Sequence, residues 1–174
     1  TPATQLGAHQ EPVLCVPIIR QFQSAPVLIL TSTLPAPDSP LDLIRQDMQL
    51  VDRVISERLT SDVPLVKEVS QYIISAGGKR LRPALLLLVS GALGSTHPHR
   101  HTLAAVVEFI HTATLLHDDV VDESTLRRGR ETANERFGNA ASVLVGDFLY
   151  SRAFQMMVDV GNMRVMQVLS DATN

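Results

Sequence analysis

A chain of 174 residues is about one domain long, enough for a single hydrophobic core. With 45% apolar and 19% charged residues, its composition is globular and excludes a disordered polypeptide. The formal net charge of -3 excludes a broad nucleic-acid-binding surface, and the single cysteine, Cys15, excludes an internal disulfide or a cysteine metal cluster.

One cysteine suits a reducing compartment. The apolar stretches 13–19 and 27–30 are far shorter than the roughly 18 residues that span a bilayer. No basic segment precedes an apolar core at the N-terminus, as a signal peptide requires. The expectation is a cytoplasmic protein without a membrane span.

In chain order, residues 1–39 come first, carrying Pro2, Pro12, Pro17, Pro26, Pro35 and Pro37. Prolines so spaced forbid a long helix and predict an extended, irregular N-terminal extension; the alternative is short β-like runs such as 26–33, one pairing as an edge strand. From Pro40 the period becomes helical. Leu41, Ile44, Met48, Val51, Ile55 and Leu59 recur at steps of three and four, with Asp38 or Ser39 as cap. A second helix begins after Asp62 with Pro64 in its first turn, and stops at Gly77 and Gly78. A third, 80–93, is nearly all apolar over 85–89 and is expected to be buried on most sides. A fourth runs from His99 to Asp122. After a polar loop, a fifth covers 140–160, and a sixth begins at Asn162. The fold class is all-α, a helical bundle.

The fourth helix ends in His-Asp-Asp-Val-Val-Asp-Glu, residues 117–123. Asp118 and Asp122 lie one turn apart, about 6 Å along the axis, on one face. Carboxylates so placed repel one another and sit at the unfavourable end of the helix dipole unless a cation joins them. Oxygen ligands at this spacing suit Mg2+, which keeps waters and recruits phosphate oxygens. Read alone, the cluster is equally a solvated helix end paired with Arg127 or Arg128. Next to it, Arg127-Arg128-Gly129-Arg130 offers guanidinium forks that match phosphate. A second basic group, residues 77–83 (GGKRLRP), stands at a helix start, where backbone N–H groups favour an anion. It lacks the spacing of a nucleotide-binding P-loop. Two basic groups and one acidic group predict two anionic substrates, one held through metal and one directly by side chains.

These segments, GGKRLRP at 77–83, DDVVD at 118–122, RRG at 127–129 and GDFL at 146–149, resemble the trans-isoprenyl diphosphate synthases, the polyprenyl synthetase family. Residues 108–122 and 138–157 are most similar to its bacterial octaprenyl diphosphate synthases. The resemblance covers 40–174, the N-terminal part of the synthase domain, and does not reach residues 1–39.

It implies a Mg2+-dependent transferase that condenses isopentenyl diphosphate with an allylic prenyl diphosphate. Asp118 and Asp122 would hold the metal with Asp119 in support, as the catalytic set. Arg127 would contact the allylic diphosphate, and Lys79, Arg82, His111 and Arg128 would bind isopentenyl diphosphate. Small side chains at Ala113 and Thr114, where a bulky aromatic would block the product tunnel, imply an all-trans product of about octaprenyl length, used for quinone side chains. Phe154, Met156 and Met157 would floor the tunnel, with plain core packing of the methionines an equal reading. The family's second aspartate-rich motif has no match beyond Asp122. The resemblance therefore implies an N-terminal fragment of low or no activity, and a homodimer if full-length. The alternative is a non-catalytic regulatory subunit of a heteromeric prenyl synthase. A terpene cyclase fits less well, because it needs no second diphosphate site.

Overall fold

Ser39 opens the described structure with a capping box: its hydroxyl accepts from Leu41 N, and Asp42 accepts from Ser39 N. This computed structural model describes residues 39–75 and 78–173. The expected stop at Gly77, a cap from Asp38 and the irregular lead-in up to residue 38 lie outside the described residues. A 3-10 turn, Pro40–Ile44, leads into α1 (Arg45–Arg58), followed by α2 (Pro64–Ser75), α3 (Leu81–Ala92) and α4 (His99–Val121). A two-stranded hairpin, β1 (Leu126–Arg127) and β2 (Arg130–Glu131), precedes α5 (Ala133–Phe137), α6 (Asn139–Val160) and α7 (Met163–Ala172). The all-α reading holds.

The helix that begins at Pro40 tightens into a 3-10 turn before it widens at Arg45, because the capping box fixes its first residues. The hairpin and α5 lie where the sequence reads as loop. Arg127 pairs with Arg130 across Arg128 and Gly129, whose φ angles of 54° and 77° are both positive. That is the requirement of a two-residue type I′ turn, which usually favours Asn-Gly rather than Arg-Gly. Gly161, left-handed at φ 67°, ends α6, and Asn162 caps α7 by accepting from the N–H groups of Arg164 and Val165.

The long helix α4 is the centre of the bundle, packed chiefly on α6 and also on α3 and α1. Val106, Phe109, Ala113 and Leu116 meet Val145, Leu149, Ala153, Met156 and Met157 in one buried cluster. Burying each large side chain contributes about 1.5–3 kcal/mol. The expectation that α3 is buried on most sides is corrected. Leu81, Leu85, Val89 and Leu93, one turn apart, stay exposed, since the described elements cover only the side that carries Ala84 and Leu87.

Candidate functional site

A cavity of about 710 Å³ opens between α2, α4, the 78–82 segment and the hairpin. Lys79, Arg82, His111, Asp119, Arg127 and Arg128 all line it. Segments separated by some fifty residues thus bring their cations to one place. Gly78 makes the meeting close: a Cβ there would stand 3.0 Å from Arg128 Nη1.

The first basic segment turns through Arg80, left-handed at φ 46°. Its guanidinium is held between Glu108 Oε1 at 3.8 Å and Asp52 Oδ1 at 3.7 Å. Burial pushes the Glu108 carboxyl above its ordinary value, while Arg80, Arg82 and Arg128 pull it back. His111 lies one turn further along α4. Burial, then Arg82, Arg128 and Arg127, lower its pKa below the ordinary 6.5. It therefore enters the cavity as a neutral donor or acceptor at pH 7.

A pH dependence follows. Just below pH 6.5 the unfolded chain takes up a proton at residue 111 that the folded chain refuses, so stability falls as pH drops through that window and is recovered above it. His111→Gln is expected to flatten this slope, as urea midpoints measured across the window will show.

The hairpin is anchored to α2. Tyr72 Oη donates to Glu131 O at 2.7 Å, and Arg130 Nη1 donates to Ser75 O at 3.0 Å while its guanidinium lies over the Tyr72 ring. β1 delivers Arg127 to Asp119: Nη2 and Nε donate to Oδ1 at 2.7 and 3.0 Å. The same bond raises the Arg127 pKa. Asp119 is 4% exposed, whereas Asp118 and Asp122 are exposed to solvent.

A helix rotates about 100° per residue, so adjacent aspartates must part company. Asp118 and Asp122 face outward together, and Asp119 turns in toward the arginine. Among the described residues no group of three or more His, Cys, Asp or Glu stands ready as a metal cage. Two open carboxylates one turn apart nevertheless fit Mg2+, which takes one or two carboxylates and completes its shell with water and substrate phosphate.

The residues expected to set product length stand elsewhere. Ala113 and Met157, like Met156, are packed in the core, Thr114 Oγ1 donates back to His111 O, and Phe154 is exposed. None of them lines the cavity. The His117 ring stacks on Tyr150 with Nε2 3.4 Å from Val143 O. The sequence reading missed Arg80, Glu108, Tyr72 and Asn134. Glu108 had a visible signal, an acid on an otherwise apolar face three residues before His111.

The Polyprenyl synthetase family model matches residues 63–174. Octaprenyl diphosphate synthase of Escherichia coli is 56% identical over 133 residues, which are 76% of this chain and 41% of that protein. A decaprenyl diphosphate synthase structure from Rhodobacter capsulatus superimposes with a TM-score of 0.74 at 53% identity, covering 77% of this chain and 42% of that one. A polyprenyl synthase from Caulobacter crescentus, complexed with calcium and isoprenyl diphosphate, gives 0.74 at 48% identity, over 77% and 41%. The chain thus spans about 41% of the length of the curated relatives it matches. With an all-α bundle, these ordered motifs and this identity, the chain belongs to the polyprenyl synthetase family.

Proposed function

We propose that this chain provides the diphosphate-binding part of a long-chain trans-prenyltransferase, and that residues 40–174 are the N-terminal part of its synthase domain. The reaction joins isopentenyl diphosphate to an allylic diphosphate and releases pyrophosphate, giving an all-trans product of about octaprenyl length for quinone side chains. The observation that carries this reading is the convergence of both basic segments and Asp119 on one cavity, with Asp118 and Asp122 on the same helix turn but not among the residues that line it.

Asp118 and Asp122 would hold Mg2+, which when bound neutralises the departing diphosphate. Arg127, aimed by Asp119, would grip that same diphosphate through its remaining N–H groups. Lys79, Arg82, Arg128 and neutral His111 would orient the isopentenyl diphosphate. Its double bond attacks the allylic carbon as the C–O bond breaks, and loss of a proton restores an allylic diphosphate. Apolar cavity walls, Phe109, Leu115 and Leu149 among them, would keep water from the cationic carbon.

Ala113, Thr114 and Met157 would then govern product length through the packing behind α4 rather than at the cavity surface. A cytoplasmic homodimer is the corresponding assembly. Among the described residues no helix is long and apolar enough to cross a membrane.

Calorimetry of the full chain with a non-reactive isopentenyl diphosphate analogue and, separately, with an allylic diphosphate analogue tests the assignment. The expected result is uptake of the allylic analogue only with Mg2+ present, and loss of isopentenyl analogue binding in Lys79→Ala. Failure of a folded chain to take up either ligand would overturn it.

A further inference from the structure

Among the described residues the buried polar side chains are Ser70, Asp119, Thr132, Asn134 and Ser142. All but Ser70 gather at the C-terminal end of α4 and the loop that leaves it. Ser142 Oγ donates to Leu116 O at 3.1 Å, and Thr132 Oγ1 donates to Ser124 O at 2.6 Å. Asn134 does more than either. Its Nδ2 donates to Asp119 O at 3.2 Å and to Ser124 O at 3.0 Å, joining the last turn of the helix to the loop.

The other end of that amide is idle. Asn134 Oδ1 is buried without a hydrogen-bond partner among the described residues. Turning the amide over would set that oxygen against two carbonyl oxygens, so the orientation is fixed by the donor end. A buried acceptor left unpaired is costly, and such a group calls for an explanation. The two carbonyls supply one. Asp119 O already accepts from Ser124 N at 2.9 Å and Ser124 O from Thr132 Oγ1, so the amide adds a second bond to each, on the turn that also carries three carboxylates at the unfavourable end of the dipole.

We propose that Asn134 is a positioning residue of the diphosphate site: its amide bridges the Asp119 and Ser124 carbonyls and, together with the Ser124 N–Asp119 O bond, holds the turn that presents Asp118 and Asp122 and on which Asp119 holds Arg127. The ligand in this statement rests on the proposed function, whereas the positioning of Arg127 does not. Asn134 does not line the cavity. Asn134 acts through the backbone of Asp119.

The test compares Asn134→Ala with Ser142→Ala, which removes an equally buried hydrogen bond one turn earlier on the same helix. Each full-length variant is melted, titrated with magnesium and inorganic pyrophosphate by calorimetry, and examined by nitrogen-15 NMR for the Arg127 Nε–H signal. That signal exchanges slowly while bonded to Asp119, and Arg127→Lys identifies it. Asn134→Ala is expected to weaken pyrophosphate binding roughly 10–100-fold, the range for loss of an outer-shell partner, and to lose the slowly exchanging signal. Ser142→Ala, with a comparable melting loss, keeps both. The proposal is overturned if Asn134→Ala retains the signal, or if both variants lose binding in proportion to their melting shifts. Should Asn134→Ala not fold, Asn134→Leu poses the same question, since it keeps the side-chain volume and removes both Nδ2 hydrogen bonds. If the unaltered chain takes up no magnesium pyrophosphate, the proposed function fails by itself, and the Arg127 signal still decides this inference.

Discussion

Asp118→Ala and Asp122→Ala are each expected to abolish magnesium-dependent pyrophosphate uptake while leaving the fold intact. Outer-shell partners of a metal are worth about 10–100-fold in affinity, so removing one of the two carboxylates proposed to hold it directly should exceed ~100-fold. Stability should move the other way. Both side chains are exposed, they repel each other across one turn, and they oppose the helix dipole, an effect of about 0.3–1 kcal/mol. Neutralising either therefore leaves the chain as stable or slightly more so. Asp119→Ala reverses the pattern, because it strips the buried partner from Arg127. It is expected to cost about 1–3 kcal/mol, discounted because Arg127 is 41% exposed and can turn to water. Calorimetry and thermal melting of the three variants separate the roles. Equal destabilisation by all three would sink the division of labour among the aspartates.

The second large effect is structural. Gly146→Val is expected to destabilise the chain by about 3 kcal/mol, near the upper end of the overpacking range, or roughly 10 °C in melting temperature. A Cβ at position 146 would overlap the imidazole of His117, with Cδ2 only 2.7 Å away. Better helix propensity returns less than about 1 kcal/mol of that. To yield, the ring, about one third exposed, would have to turn toward water and give up its stacking on Tyr150 at 6.2 Å. His117→Ala empties the contested space, so the double variant should be more stable than the sum of the single effects by at least about 1 kcal/mol. Strict additivity would show that the close approach of α4 and α6 at this point is not what Gly146 serves.

The sequence made some of this structure readable and hid the rest for identifiable reasons. The helices α2, α4 and α6 announce themselves through long apolar periods and end signals, Pro64 at one start and Gly161 at one stop. The hairpin does not, because strands of two residues have no alternation to detect, and its turn uses Arg128 where Asn is usual. Burial of α3 was overestimated because an apolar run says that partners are wanted, not that they are present; Leu85 and Val89 remain exposed. Within the site, Lys79, Arg82, His111, Arg127 and Arg128 were named from motifs and are found lining one cavity. Which of two adjacent aspartates turns inward is a matter of helix phase relative to neighbours, and local sequence does not carry it. Asn134 left no trace at all: one asparagine in a polar loop looks like any other until its two carbonyl partners are seen.

Among the described residues three other than glycine adopt left-handed backbone, Arg80, Glu123 and Arg128, and all three stand in or beside the motif segments. Glycine would sit there more comfortably by about 1–2 kcal/mol at each place. At 80 and 128, however, it would surrender a guanidinium inside the cavity. Robustness to heat and the proposed capture of diphosphates therefore compete for the same codons, and of these three positions only at Glu123, which is outside the cavity, could the chain gain the first without giving up the second.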